Sequence, residues 1–420
     1  MIVVLGAGAA GLMAAIHAVS EDSPVVVLER TADGGRKILI SGGGRCNVLP
    51  STLDERRFVT ASSPRTLANL LRAWPLSEQR HFFETTLRVP LTLEPETGKL
   101  FPVSNRARDV RDRLVAEARR RGAQFRFGVS ARALEPAPDG RWRVTLDSGE
   151  VLVVTAVIFA TGGLSVPATG SDGTGLEIAR SLGHGIHATY PALTPLVADP
   201  APHTSLAGVS LPVILRGSDG GRAVTAEGGF LFTHRGYSGP VVLDLSHLAV
   251  RSRLAGGPNA ALRVQWTGRD AVAWDERLRS PSRESVFGAL RESIPARLAE
   301  WLLSDAGIDR GRELAQLRRE ERVALVSRLA AYELPWTSDE GYKKAEVTGG
   351  GVALSEVEPA TLESKRHPGL FFSGEILDAF GPIGGYNFAW AWATGRTAGL
   401  GANRAARRQG GKAAGSSGAC

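Results

Sequence analysis

Cysteine is almost missing from this chain: Cys46 and Cys420 are the two among 420 residues. One lies in a glycine-rich motif and the other is the last residue, so a disulfide framework is excluded and a reducing cytoplasm is expected. No apolar run approaches the roughly 20 residues that span a bilayer, so no membrane partner is expected. Position 3 already lies in the first apolar run, which leaves no room for a signal peptide. His, Cys and carboxylates nowhere cluster with metal-ligand spacing, so no metal is expected. No internal repeat is evident.

What is present describes a globular chain long enough for two or three compact units, with 43% hydrophobic and 22% charged residues. The formal charge of +7 raises a nucleic-acid partner. The excess is mostly arginine on apparent helix faces, as at 106–121, where acids are interleaved. That pattern reads as a solvated surface, and nucleic acid is set aside in favour of a small-molecule substrate.

Ile2–Leu5 is an apolar run, followed by glycines, an alanine-rich segment ending near Ser20, and a second apolar run from Val25. This is strand, tight turn, helix, strand. Helices are expected near 64–73, 76–85 and 106–121, and strands at 124–127, 141–146, 151–154 and 157–160. From about 190 to 265, alternating apolar segments broken by Gly, Pro, Ser and Asp suggest an antiparallel sheet or barrel, and 269–334 reads as helical. A strand at 369–373 and a helix from Tyr386 to near Gly401 close the chain. The fold class expected is α/β: a Rossmann-type domain built from both chain ends, with an inserted β-rich, barrel-like and helical module. The boundaries are 1–189 and 342–403 for the first domain, 190–268 for the β-rich insert, 269–341 for its helical part, and 404–420 for a disordered tail.

Four motifs carry chemistry. In the first, Gly6 permits a tight turn, Gly8 lets a pyrophosphate approach the backbone, and Gly11 lets the helix pack on the sheet. The N–H groups around Ala9 and Ala10 then face phosphate. Glu29, with Arg30 beside it, ends the second strand where a carboxylate can accept ribose hydroxyls. FAD and NAD share this fingerprint. The second motif favours FAD: Arg36 and Lys37 lead to Ser41, Gly42, Gly43, Gly44, Arg45, Cys46 and Asn47. Three glycines let backbone lie against a large flat ligand, with cations and polar groups beside it. The third is Ala160, Thr161, Gly162 and Gly163 at the end of a buried strand. The fourth runs from Gly374 and Glu375 through Asp378 to Gly384, Gly385, Tyr386 and Asn387, where the start of a helix can stabilise charge on a reduced ring. Val129 is counted with the cofactor set.

Together these residues resemble the BaiN-type family of bacterial NAD(P)/FAD-dependent flavoproteins, related to the glutathione-reductase-like group. The matching segments are 34–47, 101–112, 160–170, 232–240, 347–352 and 369–387. The resemblance implies a two-part FAD domain with an inserted module. It also implies reductase chemistry, for some relatives on a conjugated enone of a steroid. The function expected is hydride transfer from NAD(P)H through flavin N5 to an unsaturated organic substrate. A flavin oxidase of an amine or hydroxyl, a flavin-dependent RNA-modifying protein and a non-catalytic flavin-binding protein are the alternatives. No second GxGxxG marks a nicotinamide domain, so NAD(P)H is expected as a transient donor. Candidate proton donors or carbonyl binders are Tyr386, His234 and Ser238.

Overall fold

A computed structural model describes residues 1–21 and 23–416, with side chains as far as Arg408. The chain forms two units, one from residues 1–189 and 347–420, the other Tyr190–Glu346.

The first unit is built on a five-stranded parallel sheet in the order Leu370–Phe372, Ala156–Phe159, Ile2–Leu5, Val25–Glu29 and Gln124–Phe127. Ile2 pairs with Ala156 on one side and Val25 on the other, so the N-terminal strand is central. Its four residues are all buried, as expected of a strand covered on both faces. The strand after Ala156 pairs with Leu370–Phe372, so the far end of the chain completes the sheet.

Helix Ala9–Ala18 packs against the last helix through small residues. A Cβ on Gly395 or Gly399 would overlap the carbonyl oxygens of Ala10 and Ala14, so the two backbones touch. Asn403 Nδ2 donates to the Ala18 carbonyl at 2.9 Å and closes the far end of this contact. The expectation that the last helix stops near Gly401 and gives way to a disordered tail is corrected: it runs Tyr386–Ser416. Gly401 is held against the Thr361 carbonyl, while Ala402 and Ala406 stay buried one turn apart, so the apolar stripe continues past the glycine. Residues 417–420 lie outside the described residues.

The meander expected near 141–154 is a three-stranded antiparallel sheet of Ala131–Pro136, Trp142–Leu146 and Val151–Val154. A second small sheet joins Leu49–Pro50, Lys99–Pro102 and Leu91–Glu94 just after the triple-glycine loop.

The second unit holds a seven-stranded antiparallel sheet centred on the hairpin Ser210–Asp219 and Arg222–Phe232. Its division into a β-rich and a helical part is corrected. Tyr332–Glu333 and Ser338–Asp339, inside the expected helical stretch, form the two edges of that sheet, and helix Pro240–Leu254 lies inside the expected β-rich stretch. Sheet and helices share one core, with Phe230, Trp266, Trp274, Leu302 and Leu329 in a single buried cluster. Two-residue strands carry too little periodicity to be read from sequence.

Candidate cofactor site

The glycine turn after Ile2–Leu5 divides its three glycines between two jobs. Gly6 has φ +100°, and a Cβ there would lie 2.5 Å from the Ala160 carbonyl oxygen. A Cβ on Gly11 would overlap the Gly6 carbonyl. Both are excluded from carrying side chains by the protein itself. Gly8 differs: nothing lies within 4 Å of where its Cβ would be. It is also the N-cap of helix Ala9–Ala18, which has no side-chain cap. The first-turn N–H groups, at Ala9, Ala10 and Gly11, thus have no partner within the helix.

Glu29 is 6% exposed, and its carboxylate holds this turn together. Ala7 N–H donates to Oε2 at 2.7 Å, while Thr31 donates to Oε1 through its N–H at 2.8 Å and its hydroxyl at 2.6 Å. A carboxylate has about four acceptor positions, so capacity for a further donor remains. Val129 N–H donates to the Glu29 carbonyl at 3.0 Å, and Arg30 pairs with Asp172.

The cations expected to draw phosphate are all matched by carboxylates. Arg36 donates to Asp33 at 2.9 Å, Lys37 to Glu375 at 2.6 Å and Arg45 to Glu94 at 3.0 Å. Arg45 also lies 4.0 Å above the centre of the Phe101 ring. The field at the turn therefore comes mainly from backbone dipoles. Gly42, Gly43 and Gly44 all take positive φ, and a Cβ on Gly43 would meet nothing. The Ser41 hydroxyl donates to the Ile38 carbonyl at 2.8 Å. Cys46 is fully buried, and burial pushes its thiol up to about 12, so it is a packing residue. Asn47 is buried beside Gly385, and its Oδ1 has no hydrogen-bond partner among the described residues.

Ala160, Thr161, Gly162 and Gly163 follow the strand that abuts the glycine turn. A Cβ on Gly163 would overlap the Thr348 hydroxyl, which makes Thr348 a neighbour that sequence reading missed. Its segment, Val347–Val352, matched the family pattern without any side chain being singled out.

Gly374 approaches the first helix, 2.7 Å from its Cβ position to the Ala10 Cβ, and its N–H donates to Thr394 Oγ1 at 2.9 Å. Asp378, expected among the cofactor ligands, meets the loop at 60–62. Its buried Oδ2 accepts the Thr60 hydroxyl at 2.9 Å, Ala61 N–H at 3.0 Å, and Ser62 N–H and hydroxyl at 2.9 and 2.8 Å. Asn387 is likewise turned inward: its Oδ1 accepts Gly381 N–H and its Nδ2 donates to the Gly381 carbonyl, both at 2.9 Å. Between them, Gly384 and Gly385 have positive φ, and Tyr386 is buried with its hydroxyl accepting from Arg57 at 3.4 Å.

His234 and Ser238 belong to the second unit and Tyr386 to the first. His234 is exposed, and Ser238 lies on the short strand Gly236–Ser238. Between them, Tyr237 is buried with its hydroxyl 2.7 Å from His203 Nδ1. Among the described residues there is no group of three potential metal ligands, and no helix is long and apolar enough to cross a membrane.

An open Gly8 at an uncapped helix start, an accepting Glu29 and a triple-glycine loop that is open at Gly43 fit a dinucleotide cofactor. The HI0933-like protein Rossmann domain family matches residues 1–401. The chain belongs to that family. It is thus a Rossmann-type flavoprotein of the oxidoreductase kind that its motifs resemble. This HI0933-like chain is 32% identical over 406 residues to a 3-dehydro-bile acid delta(4,6)-reductase of Clostridium scindens, covering 94% of this chain and 97% of that one. It is 31% identical over 397 residues to a ribosomal RNA dihydrouridine synthase of Escherichia coli K12, covering 93% and 95%. Among solved structures, a 3-ketosteroid delta1-dehydrogenase from Sterolibacterium denitrificans superposes with a TM-score of 0.51 at 13% identity, over 97% of this chain and 99% of that one. That likeness concerns the fold alone.

Proposed function

We propose that this HI0933-like chain uses FAD to reduce a carbon–carbon double bond conjugated to a carbonyl, with NAD(P)H as the electron source. The observation that carries the reading is the cradle built from both chain ends: an uncapped helix start beside Gly8, and the positive-φ pair Gly384 and Gly385 next to a buried tyrosine. The names of two relatives of similar identity support it, because they share one chemistry. A 3-keto steroid with delta(4,6) unsaturation and the uracil ring both present an alkene conjugated to a carbonyl.

Bound FAD, once reduced by NAD(P)H, would supply a hydride from N5 to the carbon β to that carbonyl. The chain's own residues bind and orient. Gly8, Ala9, Ala10 and Gly11 receive the pyrophosphate, Glu29 a ribose hydroxyl, and Gly42, Gly43 and Gly44 the extended middle of the cofactor. The N-terminus of helix Tyr386–Ser416 favours negative charge next to it. Of the three proton-donor candidates, Tyr386 shares its unit with the cradle, and we assign it the proton delivered to the α-carbon.

A uridine in RNA is the second reading of the acceptor, favoured by the name of the Escherichia coli relative. Anaerobic NADPH or NADH should bleach the purified protein's flavin absorbance. Adding a 3-keto-4-ene steroid or a uridine-containing RNA should restore it, and the one that does names the acceptor class. A protein that neither holds FAD nor takes it up from solution would end the proposal.

A further inference from the structure

Lys37 and Glu375 stand 338 residues apart in the chain and meet at 2.6 Å. Their side chains are 26% and 17% exposed, so the pair is shielded from solvent more than a surface ion pair. The other carboxylate oxygen of Glu375 accepts Thr348 N–H at 2.9 Å. The Thr348 hydroxyl oxygen in turn accepts Leu164 N–H at 2.7 Å and Ser165 N–H at 3.2 Å. Gly163 has to be bare here, because a Cβ would overlap the Thr348 hydroxyl and lie 3.0 Å from Glu375 Oε1. One polar chain therefore ties together helix Arg36–Ile40, the stretch after strand Ala156–Phe159, strand Val347–Val352 and the turn at Gly374–Ile376. Three of these four pieces carry motifs that the cofactor reading needs, and two come from opposite ends of the sequence.

We propose that Lys37, Glu375 and Thr348 form a clasp that holds the two ends of the chain closed around the cofactor cleft. They act as positioning residues, and Lys37 and Glu375 are not themselves ligands of the cofactor. The ammonium of Lys37 is already matched by a carboxylate, so it adds little net field for a pyrophosphate. The clasp rests on the FAD reading above. It further requires that the two charges contribute to cofactor affinity only as a pair.

The test is FAD binding to apoprotein, followed by quenching of flavin fluorescence, for wild type, Lys37→Met, Glu375→Gln, the double variant and Lys37→Arg. Glu375→Gln keeps an oxygen for Thr348 N–H. A clasp predicts that each neutral variant weakens FAD binding by about tenfold and that the double variant is no weaker than the worse single one. Lys37→Arg should stay within about threefold of wild type. Losses that multiply in the double variant would assign each residue its own cofactor contact and overturn the clasp. Unchanged affinity in both single variants would overturn it as well, whatever happens to the apoprotein's Tm. If the double variant does not fold, Thr348→Val replaces it: this cuts the link to Leu164 and Ser165 but leaves the ion pair. It should weaken FAD binding by a similar factor, and unchanged affinity overturns the clasp. Wild-type protein that takes up no FAD at all would instead mark failure of the FAD reading.

Discussion

Gly11 sits directly beneath Gly6, so close that a Cβ on Gly11 would overlap the Gly6 carbonyl oxygen, whereas Gly8 between them faces open space. The two kinds of glycine should respond differently to the same substitution. Gly11→Ala should destabilise the apoprotein by about 1–3 kcal/mol, because backbone has to shift. Gly8→Ala should cost no more than about 1 kcal/mol in the apoprotein and yet weaken FAD binding about tenfold or more. Thermal unfolding without cofactor and FAD titration together check the contrast. Equal losses of stability would remove the distinction.

Cys46 should be chemically silent. Burial raises its thiol from 9.0 to about 12, so at pH 8 the native protein holds almost no thiolate there. Alkylation read by peptide mass spectrometry should leave Cys46 unmodified until the protein unfolds. The folded value lies above the unfolded one, so the stability from this site is full below about pH 9. It is lost as pH rises from there towards about 12.

Acid should destabilise the fold through its buried histidines. His17, His203 and His247 are each lowered from 6.5 to about 4, in every case first by burial. At His17 the nearby Arg121 and Arg396 add to the lowering, against a hydrogen bond to the Met13 carbonyl. Folded values below the unfolded one mean that the stability is present above pH 6.5 and is lost as pH falls towards 4. Each site contributes a slope of up to about 1.4 kcal/mol per pH unit. His203→Gln should flatten the urea-denaturation stability curve over this window. An unaltered slope would show that His203 does not titrate there.

Asp378→Asn should loosen residues 60–62. Its Oδ2 accepts hydrogen bonds from Thr60, Ala61 and Ser62, and neutralising it removes the charge from all of them. We expect a loss of about 2–3 kcal/mol, with faster amide exchange at residues 60–62 ahead of the sheet.

Tyr386→Phe separates chemistry from binding. FAD affinity and flavin reduction by NAD(P)H should hold, while reoxidation by the unsaturated acceptor should slow about 100-fold, as expected for a lost proton donor. Rapid-mixing absorbance at the flavin band measures both half-reactions. An unchanged reoxidation rate would move the proton to another group.

Much of the architecture was legible because it is written in short-range periodicity. The apolar runs at residues 2 and 25 and the glycines between them specify strand, turn and strand locally, and the parallel sheet follows. The last helix was misjudged at Gly401, where a local breaker was outvoted by packing against Thr361 and by the buried Ala402 and Ala406. The edge strands Tyr332–Glu333 and Ser338–Asp339 were illegible, because two residues exist as strand only once a partner is beside them.

The sequence alone determined the kind of site: where glycine is required, where a helix begins, and which carboxylate follows the second strand. Those features act over a few residues, within reach of local sterics and hydrogen bonding. Which charges cancel was decided only by the tertiary structure. Lys37 and Arg45 read as free cations until the fold brought Glu375 and Glu94 to them, and the donors that meet Asp378 come from the loop at 60–62, near the other end of the chain. Coulombic and hydrogen-bonding partners are set by distance in space, and for Lys37 and Glu375 that distance is unrelated to the 338 positions between them.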